Sequence, residues 1–156
     1  MTILLIGMCG TGKTWVMQQL IDYYLLTIKR KAGKIYYHTD NKIVAIGKYD
    51  GSIYQGSDKL SMSVMTDVDA FLSWNKNSVV IAEGDRFTNS KFIAKAKPII
   101  IKITDDGAVG RLKRNSTQSE RHLKSIQTRV SNIISDHNVV NSIEALELIK
   151  KIINDK

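Results

Sequence analysis

The chain contains little cysteine, proline and aromatic residue, and these shortages exclude several classes of protein. Its 156 residues include one cysteine, Cys9, one proline, Pro98, and 7% aromatic residues. A lone cysteine excludes an internal disulfide and a cysteine zinc cluster, and it favours a reducing, cytoplasmic location. Apolar runs stay well short of the roughly 18 residues that a membrane-spanning helix needs, so we expect no membrane partner. Length and composition predict one globular domain over residues 1–156.

Positive charge is concentrated in one part of the chain. The sequence has 23 Lys and Arg against 15 Asp and Glu, a net charge of +8. Residues 91–130 alone carry 10 basic and 3 acidic side chains, which is a net charge of +7. Such an excess indicates an anionic partner. Two interpretations stay open, because a solvated helical face has the same composition as a surface that binds phosphates.

Buried strands that alternate with helices predict the fold class. Short apolar runs predict strands at residues 2–6, 79–82, 98–103 and 139–140. Helical spacing predicts helices over 13–31, 88–96, 107–115 and 119–135, a short helix that begins at Asp67, and a final helix capped by Ser142. Two β-type runs, 34–38 and 43–48, are typical of a hairpin. We therefore expect an α/β fold: a three-layer α/β/α sandwich around a parallel sheet of about five strands, with a small β-hairpin insert.

A glycine-rich segment joins the first predicted strand to the first predicted helix. It matches the pattern G-x-x-x-x-G-K-[ST] completely, with the residues Gly7, Met8, Cys9, Gly10, Thr11, Gly12, Lys13 and Thr14. Such a loop turns backbone N–H groups onto phosphate oxygens, and the helix N-terminus adds partial positive charge. Lys13 is then expected to reach the β- and γ-phosphates of a nucleotide, and the Thr14 hydroxyl to ligate Mg²⁺. A chance match in a glycine turn is the alternative.

Two carboxylates directly follow the strand predicted at 79–82. Ligand sites of parallel sheets form at the carboxyl ends of strands, which is also where the glycine-rich loop lies. Glu83 or Asp85 is therefore expected to hold Mg²⁺, and Arg86 to bind a phosphate or to position the carboxylates. An ordinary strand-end turn with an ion pair is the alternative. The sequence does not decide between Glu83 and Asp85.

Arginines in the basic segment fall on common helical faces. Arg111 and Arg114 are three residues apart, and Arg121 and Arg129 are eight apart, so each pair shares a face. Arginines on a mobile segment, at about residues 105–130, would stabilise charge on a transferring phosphoryl group and exclude water from it. A helical lid that carries these arginines is therefore predicted, with a solvated helix as the alternative.

The loop at residues 7–14, the Asp85-Arg86 pair and the arginine-rich segment together resemble the thymidylate-kinase-like branch of the P-loop NTPase fold. The resemblance implies a parallel sheet of order 2-3-1-4-5 and transfer of the γ-phosphoryl group from ATP with Mg²⁺. It also implies that the segment around Asn138–Ser142, with Asn141, borders the adenine. The chain is shorter than typical members and lacks their acidic residue inside the phosphate loop.

Two further stretches resemble the 5-hydroxymethyluridine DNA kinases of phages, which are relatives of thymidylate kinases. These stretches are residues 46–62 and 83–87. The resemblance implies phosphorylation of the hydroxymethyl group of 5-hydroxymethyluracil in DNA, a step of thymidine hypermodification in the host cytoplasm. A soluble nucleoside or nucleoside-monophosphate kinase is the second hypothesis. A P-loop ATPase or nucleotide-binding module is the third.

The three hypotheses differ in what the acceptor requires. A neutral hydroxymethyl group benefits from a carboxylate that takes its proton, whereas a monophosphate mainly needs positioning. Asp50 is the first candidate for this base and Asp40 the second, although Asp50 before Gly51 is equally typical of a turn. Five aromatic residues are candidates for stacking on a base, with places in the core or on a sheet face as the alternative: Tyr36, Tyr37, Tyr49, Tyr54 and Phe87. Arg121 and Arg129 are candidates for contacts with a DNA backbone, which would make binding sensitive to salt.

Overall fold

The computed structural model describes residues 1–52 and 55–156. Within this part of the chain, seven strands form one mixed sheet in the order β2-β3-β4-β5-β1-β6-β7. The strands are β1 (Thr2–Gly7), β2 (Ile28–Ala32), β3 (Ile35–Thr39), β4 (Ile43–Ile46), β5 (Val79–Glu83), β6 (Ile99–Ile103) and β7 (His137–Val139). The helices are α1 (Lys13–Tyr23), α2 (Val68–Trp74), α3 (Ser90–Ala96), α4 (Ala108–Lys113), α5 (Glu120–Ser131) and α6 (Ser142–Asn154).

The two faces of the sheet form separate cores, as alternating side chains of a buried strand require. Ile3 and Leu5 of β1 pack with residues of α1 and α6, whereas Leu4 and Ile6 pack with residues of α2, α3 and α5. The expected α/β class and the helix layers on both faces are confirmed. Among the described residues, no helix combines the length and the apolar character needed to cross a membrane.

The sheet is larger than predicted, and its order differs from 2-3-1-4-5. The strands β4, β5, β1, β6 and β7 are parallel to one another, but β3 pairs antiparallel with β4 and β2 antiparallel with β3, which adds two strands at one edge. The predicted hairpin insert is therefore wrong in one respect: its second strand, β4, pairs in parallel with β5 and belongs to the main sheet.

The first helix is shorter than the predicted helix over 13–31. It ends at Tyr23, Leu25 adopts a positive φ of 51°, and Leu26 turns back into the core, where it is 1% exposed. The basic run 29–31 then lies in β2, which pairs with β3 along its whole length. Residues 28–32 have helical spacing but form a strand, because they pair with β3. The spacing of a sequence carries no information about such a distant partner strand.

The final helix is capped by a different residue than predicted. The Asn141 side chain, not that of Ser142, accepts hydrogen bonds from the backbone N–H groups of Ile143 and Glu144, each at 3.0 Å. Asn141 has extended backbone angles, which suit a residue immediately before a helix. Its side-chain oxygen is thus occupied in capping the start of α6.

Candidate functional site

The loop between β1 and α1 wraps around the side chain of Lys13. The lysine Nζ donates hydrogen bonds to the carbonyl oxygens of Gly7 and Met8, at 2.9 and 2.8 Å. Gly10 and Gly12 adopt φ angles of +90° and +87°, which side chains rarely tolerate. These angles turn the loop backbone inward ahead of the first turn of α1. The loop therefore has the positive-φ glycines and the enclosed lysine that the predicted phosphate-binding motif calls for.

Oxygen donors suited to Mg²⁺ lie beside this loop. Thr14 is in the first turn of α1, and Glu83 ends β5, where it pairs in register with Leu5 of β1. Asp85 follows two residues later. Hydroxyl and carboxylate oxygens are the ligands that Mg²⁺ prefers. The residue types at this place are therefore those that the predicted Mg²⁺ site would require.

The structure distinguishes Glu83 from Asp85. Glu83 is 3% exposed, and its Oε1 accepts hydrogen bonds from the Ser57 backbone N–H at 3.2 Å and from the Tyr49 hydroxyl at 3.4 Å. Burial raises the pKa of the Glu83 carboxyl, while the charge of Lys13 acts in the opposite direction. Glu83 thus fastens the segment at Ser57 to the end of β5, and Asp85 is the more accessible carboxylate.

Replacing Glu83 with glutamine is expected to change how stability depends on pH. The raised pKa means that folding favours the protonated carboxyl, so its contribution is complete below the ordinary value of 4.5 and is lost as pH rises through the folded value. Glutamine keeps the acceptor oxygen and does not titrate. The melting temperature of Glu83→Gln minus that of the wild type should therefore rise as the pH increases from about 4.5, measured without Mg²⁺ or nucleotide. A constant difference would contradict this.

The lid segment contacts the phosphate loop through backbone atoms. A Cβ on Gly110 would overlap the carbonyl oxygen of Gly10, and a Cβ on Gly107 would overlap that of Cys9. Arg111 Nη1 donates a hydrogen bond to the Cys9 carbonyl oxygen at 2.8 Å. Helix α4 therefore packs directly on the loop. Glycines on both sides of the contact have no side chain, so the two backbones can approach closely.

The start of α5 also reaches this site. Ligand atoms of Cys9, Asp85 and His122 lie within 4.8 Å of one another, so three distant segments meet there. The Gln118 side-chain amide lies 3.4 Å from Cys9 Sγ. The segment predicted as a lid thus contacts the glycine-rich loop at two points, through α4 and through the first turn of α5.

The predicted arginines occupy different environments. Arg114 ends α4 close enough to influence the Asp58 carboxyl, and Arg86 Nε donates to the Leu60 carbonyl oxygen at 3.3 Å. Arg121 and Arg129 are exposed on α5, whose buried residues are Ile126 and Val130. Arg111 therefore contacts the loop and Arg86 and Arg114 lie near Asp58, whereas among the described residues no hydrogen bond or ion pair links Arg121 or Arg129 to the loop.

The structure places Asp40, the second candidate base, away from the glycine-rich loop. It lies in the turn between β3 and β4, where its Oδ1 accepts hydrogen bonds from the N–H groups of Lys42 and Ile43. This turn precedes β4, which is parallel to β5, so it lies at the amino-terminal ends of the parallel strands. The glycine-rich loop lies at their carboxyl ends. Asp40 acts as a turn-forming residue.

Asp50 follows the correct end of β4, but it is already engaged in a turn. Its Oδ1 accepts hydrogen bonds from the Ser52 backbone N–H and hydroxyl, at 3.1 and 2.6 Å, and its Oδ2 pairs with Lys59 at 2.8 Å. The Lys59 hydrogen bond and those from Ser52 hold the pKa of Asp50 well below its ordinary value. The turn that the sequence offered as an alternative is therefore present.

Two of the proposed stacking residues are buried. Phe87 is fully buried and packs edge-on against Phe92, at 4.9 Å between ring centroids. Tyr49 is 8% exposed and contacts Glu83. Phe87 is a core residue because it turns under the β5 end, and this corrects its assignment to the substrate. Tyr54 lies outside the described residues.

Sequence reasoning missed Asp58. It sits in a single 3-10 turn, Ser57–Lys59, that the Ser57–Glu83 hydrogen bond fastens to β5. Desolvation by the surrounding chain and the nearby Asp85 raise the pKa of Asp58, while Lys13, Arg86 and Arg114 act to lower it. The side chain reaches solvent, yet its carboxyl belongs to the charge cluster of the site. No sequence pattern predicts this position of Asp58, because it depends on the contact between Ser57 and Glu83, which are distant in the sequence.

Comparisons with known proteins add no relative. No family model, no curated protein and no solved structure matches the chain. The resemblance described from the motifs therefore remains a prediction.

Proposed function

We propose that the protein is an ATP-dependent phosphotransferase with a P-loop NTPase fold. The observation that carries the proposal is the loop around Lys13, which lies beside the β5 carboxylates and under the docked helix α4. Without β2 and β3, the remaining parallel strands follow the order β4-β5-β1-β6-β7, which supports the same fold. A reducing, cytoplasmic setting is part of the proposal.

The residues divide the work of binding and transfer. The backbone of the loop and Lys13 bind the β- and γ-phosphates, and Arg111 and Arg114 stabilise charge on the transferring group. Thr14 and Asp85 would hold Mg²⁺, supported by Glu83, and the ion would neutralise charge on the phosphate oxygens. The end of β7 next to Gly12 would border the adenine, since Ser142 packs against that glycine.

The acceptor that we propose is the hydroxymethyl group of 5-hydroxymethyluracil in DNA. A carboxylate takes the hydroxyl proton, the hydroxyl oxygen bonds to the γ-phosphorus, and the bond from that phosphorus to the β-phosphate oxygen breaks to release ADP. Asp58 is the carboxylate that suits this step, because its raised pKa favours accepting a proton and it lies in the cluster with Lys13. Asp50 remains the competing candidate from the sequence.

A matched pair of variants separates these two bases. Asp50→Asn should leave the transfer rate within about threefold of the wild type, because asparagine keeps the acceptor for Ser52, whereas Asp58→Asn should lower it by about 10² or more. Initial rates at saturating ATP and acceptor measure both. The reverse result, a loss only in Asp50→Asn, would return the base to Asp50.

Labelled ATP tests the acceptor directly. The wild type is incubated with DNA that contains 5-hydroxymethyluracil, with unmodified DNA of the same sequence, and with the free nucleoside and nucleoside monophosphate. Label on the modified polymer alone supports the proposal. Label only on the small molecules supports the soluble kinase, and phosphate release that no acceptor captures supports the ATPase module.

A further inference from the structure

A basic, aromatic cavity lies at the edge of the sheet away from α6. It has a volume of about 380 Å³ and is formed by β2, β3 and the residues that follow β4. Lys29 and Lys31 of β2 pair in register with His38 and Tyr36 of β3, so these side chains share one face. The sequence alone offered Tyr36 as a stacking candidate but placed the basic run at a helix end, away from it.

The cavity carries an unbalanced positive charge. Lys29, Lys31 and Lys48 line it, against the single acidic residue Asp50, whose carboxylate already pairs with Lys59. Arg30 also borders the cavity, but it lies between Lys29 and Lys31 on β2, so its side chain points to the opposite face. Within the described residues, none of the three lysines forms an ion pair. Holding them close together is unfavourable without an anion, so the charge indicates an anionic ligand.

An aromatic ring lies among these charges. The Nζ atoms of Lys48 and Lys31 stand over the Tyr36 ring, at 3.9 and 5.0 Å from its centroid. Lysines beside a partly exposed aromatic ring are a combination that binds single-stranded nucleic acid, because the cations contact phosphates and the ring can stack on a base once they do.

Two residues that line the cavity also contact residues of the candidate active site. Tyr49 lines the cavity and its hydroxyl reaches Glu83, and Asp50 lines it and pairs with Lys59 of the 3-10 turn that contains Asp58. We propose that this face binds a single strand of DNA, with its lysines on backbone phosphates and Tyr36 on a base. The inference rests on the proposed function, because the bound strand would place its acceptor base near Asp58.

Binding without ATP tests the inference independently of phosphoryl transfer. The probe is a fluorescent single strand of about 15 thymidines, measured by anisotropy over a salt series. The triple variant Lys29→Ala, Lys31→Ala, Lys48→Ala should bind at least about tenfold more weakly, and its salt slope should fall by about 0.7 for each phosphate that the variant no longer neutralises. Tyr36→Ala should weaken binding roughly 5- to 150-fold, and Tyr36→Phe should not.

A matched control removes charge at the other edge of the sheet. Lys151→Ala with Lys156→Ala, on and after α6, should bind as the wild type does. Unchanged binding by the triple variant would overturn the inference, as would equal losses for heparin with no effect of Tyr36→Ala, or tighter binding of the matching RNA strand. If the wild type binds DNA through this face but phosphorylates no DNA, the proposed function fails and the inference stands.

Discussion

Lys13→Ala is expected to abolish phosphoryl transfer, with a loss of at least about 10³-fold. The loop places this ammonium among the backbone carbonyls of Gly7 and Met8, at the point where phosphates would sit. Because no other lysine of the described residues lies within the loop, alanine removes the charge that the γ-phosphoryl group meets. Single-turnover transfer from labelled ATP measures the effect.

A loss of loop structure must be separated from a loss of charge. Melting curves monitor the fold, and the hydrogen bond from Thr11 Oγ1 to the Met8 carbonyl oxygen, at 2.9 Å, remains available to hold the loop. Lys76→Ala, an exposed lysine before β5, is the matched control and should be fully active. A folded Lys13→Ala protein with more than a tenth of the wild-type rate would contradict the role of the loop.

Gly110→Ala should reduce transfer by about 10²-fold by displacing α4 from the loop. Gly110 lies inside α4, where alanine is favoured over glycine by about 1 kcal/mol, so the helix itself should not suffer. The added Cβ would nevertheless overlap the Gly10 carbonyl oxygen, and the helix must move away. The hydrogen bond from Arg111 to Cys9 would then break.

Displacement of α4 can be recognised by where the phosphoryl group of ATP ends up, on the acceptor or as free phosphate. A displaced lid admits water, so the ratio of free phosphate to phosphorylated acceptor should rise as transfer falls. Val109→Ala, on the same helix at a residue that is 66% exposed, is the control and should leave both quantities unchanged. Normal transfer by Gly110→Ala would show that docking of α4 is dispensable.

The sequence was informative where local chemistry decides the structure. The glycine-rich loop, the buried strands β5 and β6 and the helices after them follow from patterns within about ten residues. It failed where a distant partner decides. The run 28–32 has helical spacing with the residues before it, and only pairing with β3 makes it a strand. The helix that the sequence predicts there would have hidden the basic face entirely.

Some residues of the candidate site are also predictable from local sequence, whereas others depend on distant contacts. Lys13 and Thr14 are specified by adjacent residues, and so is the pair Glu83 and Asp85 at a strand end. Asp58 is brought to the site by a hydrogen bond from Ser57 to Glu83, across 26 residues of chain. No periodicity or composition records that contact. The choice between Asp50 and Asp58 therefore required the fold.

The strand β2 is an open edge of the sheet, and this position has a consequence for self-association. Unpaired backbone groups along an edge strand invite a second copy to extend the sheet, and closely spaced positive charges oppose such pairing. Lys29, Arg30 and Lys31 lie on this strand. The residues proposed to attract a polynucleotide would therefore also keep two copies of the chain from joining edge to edge.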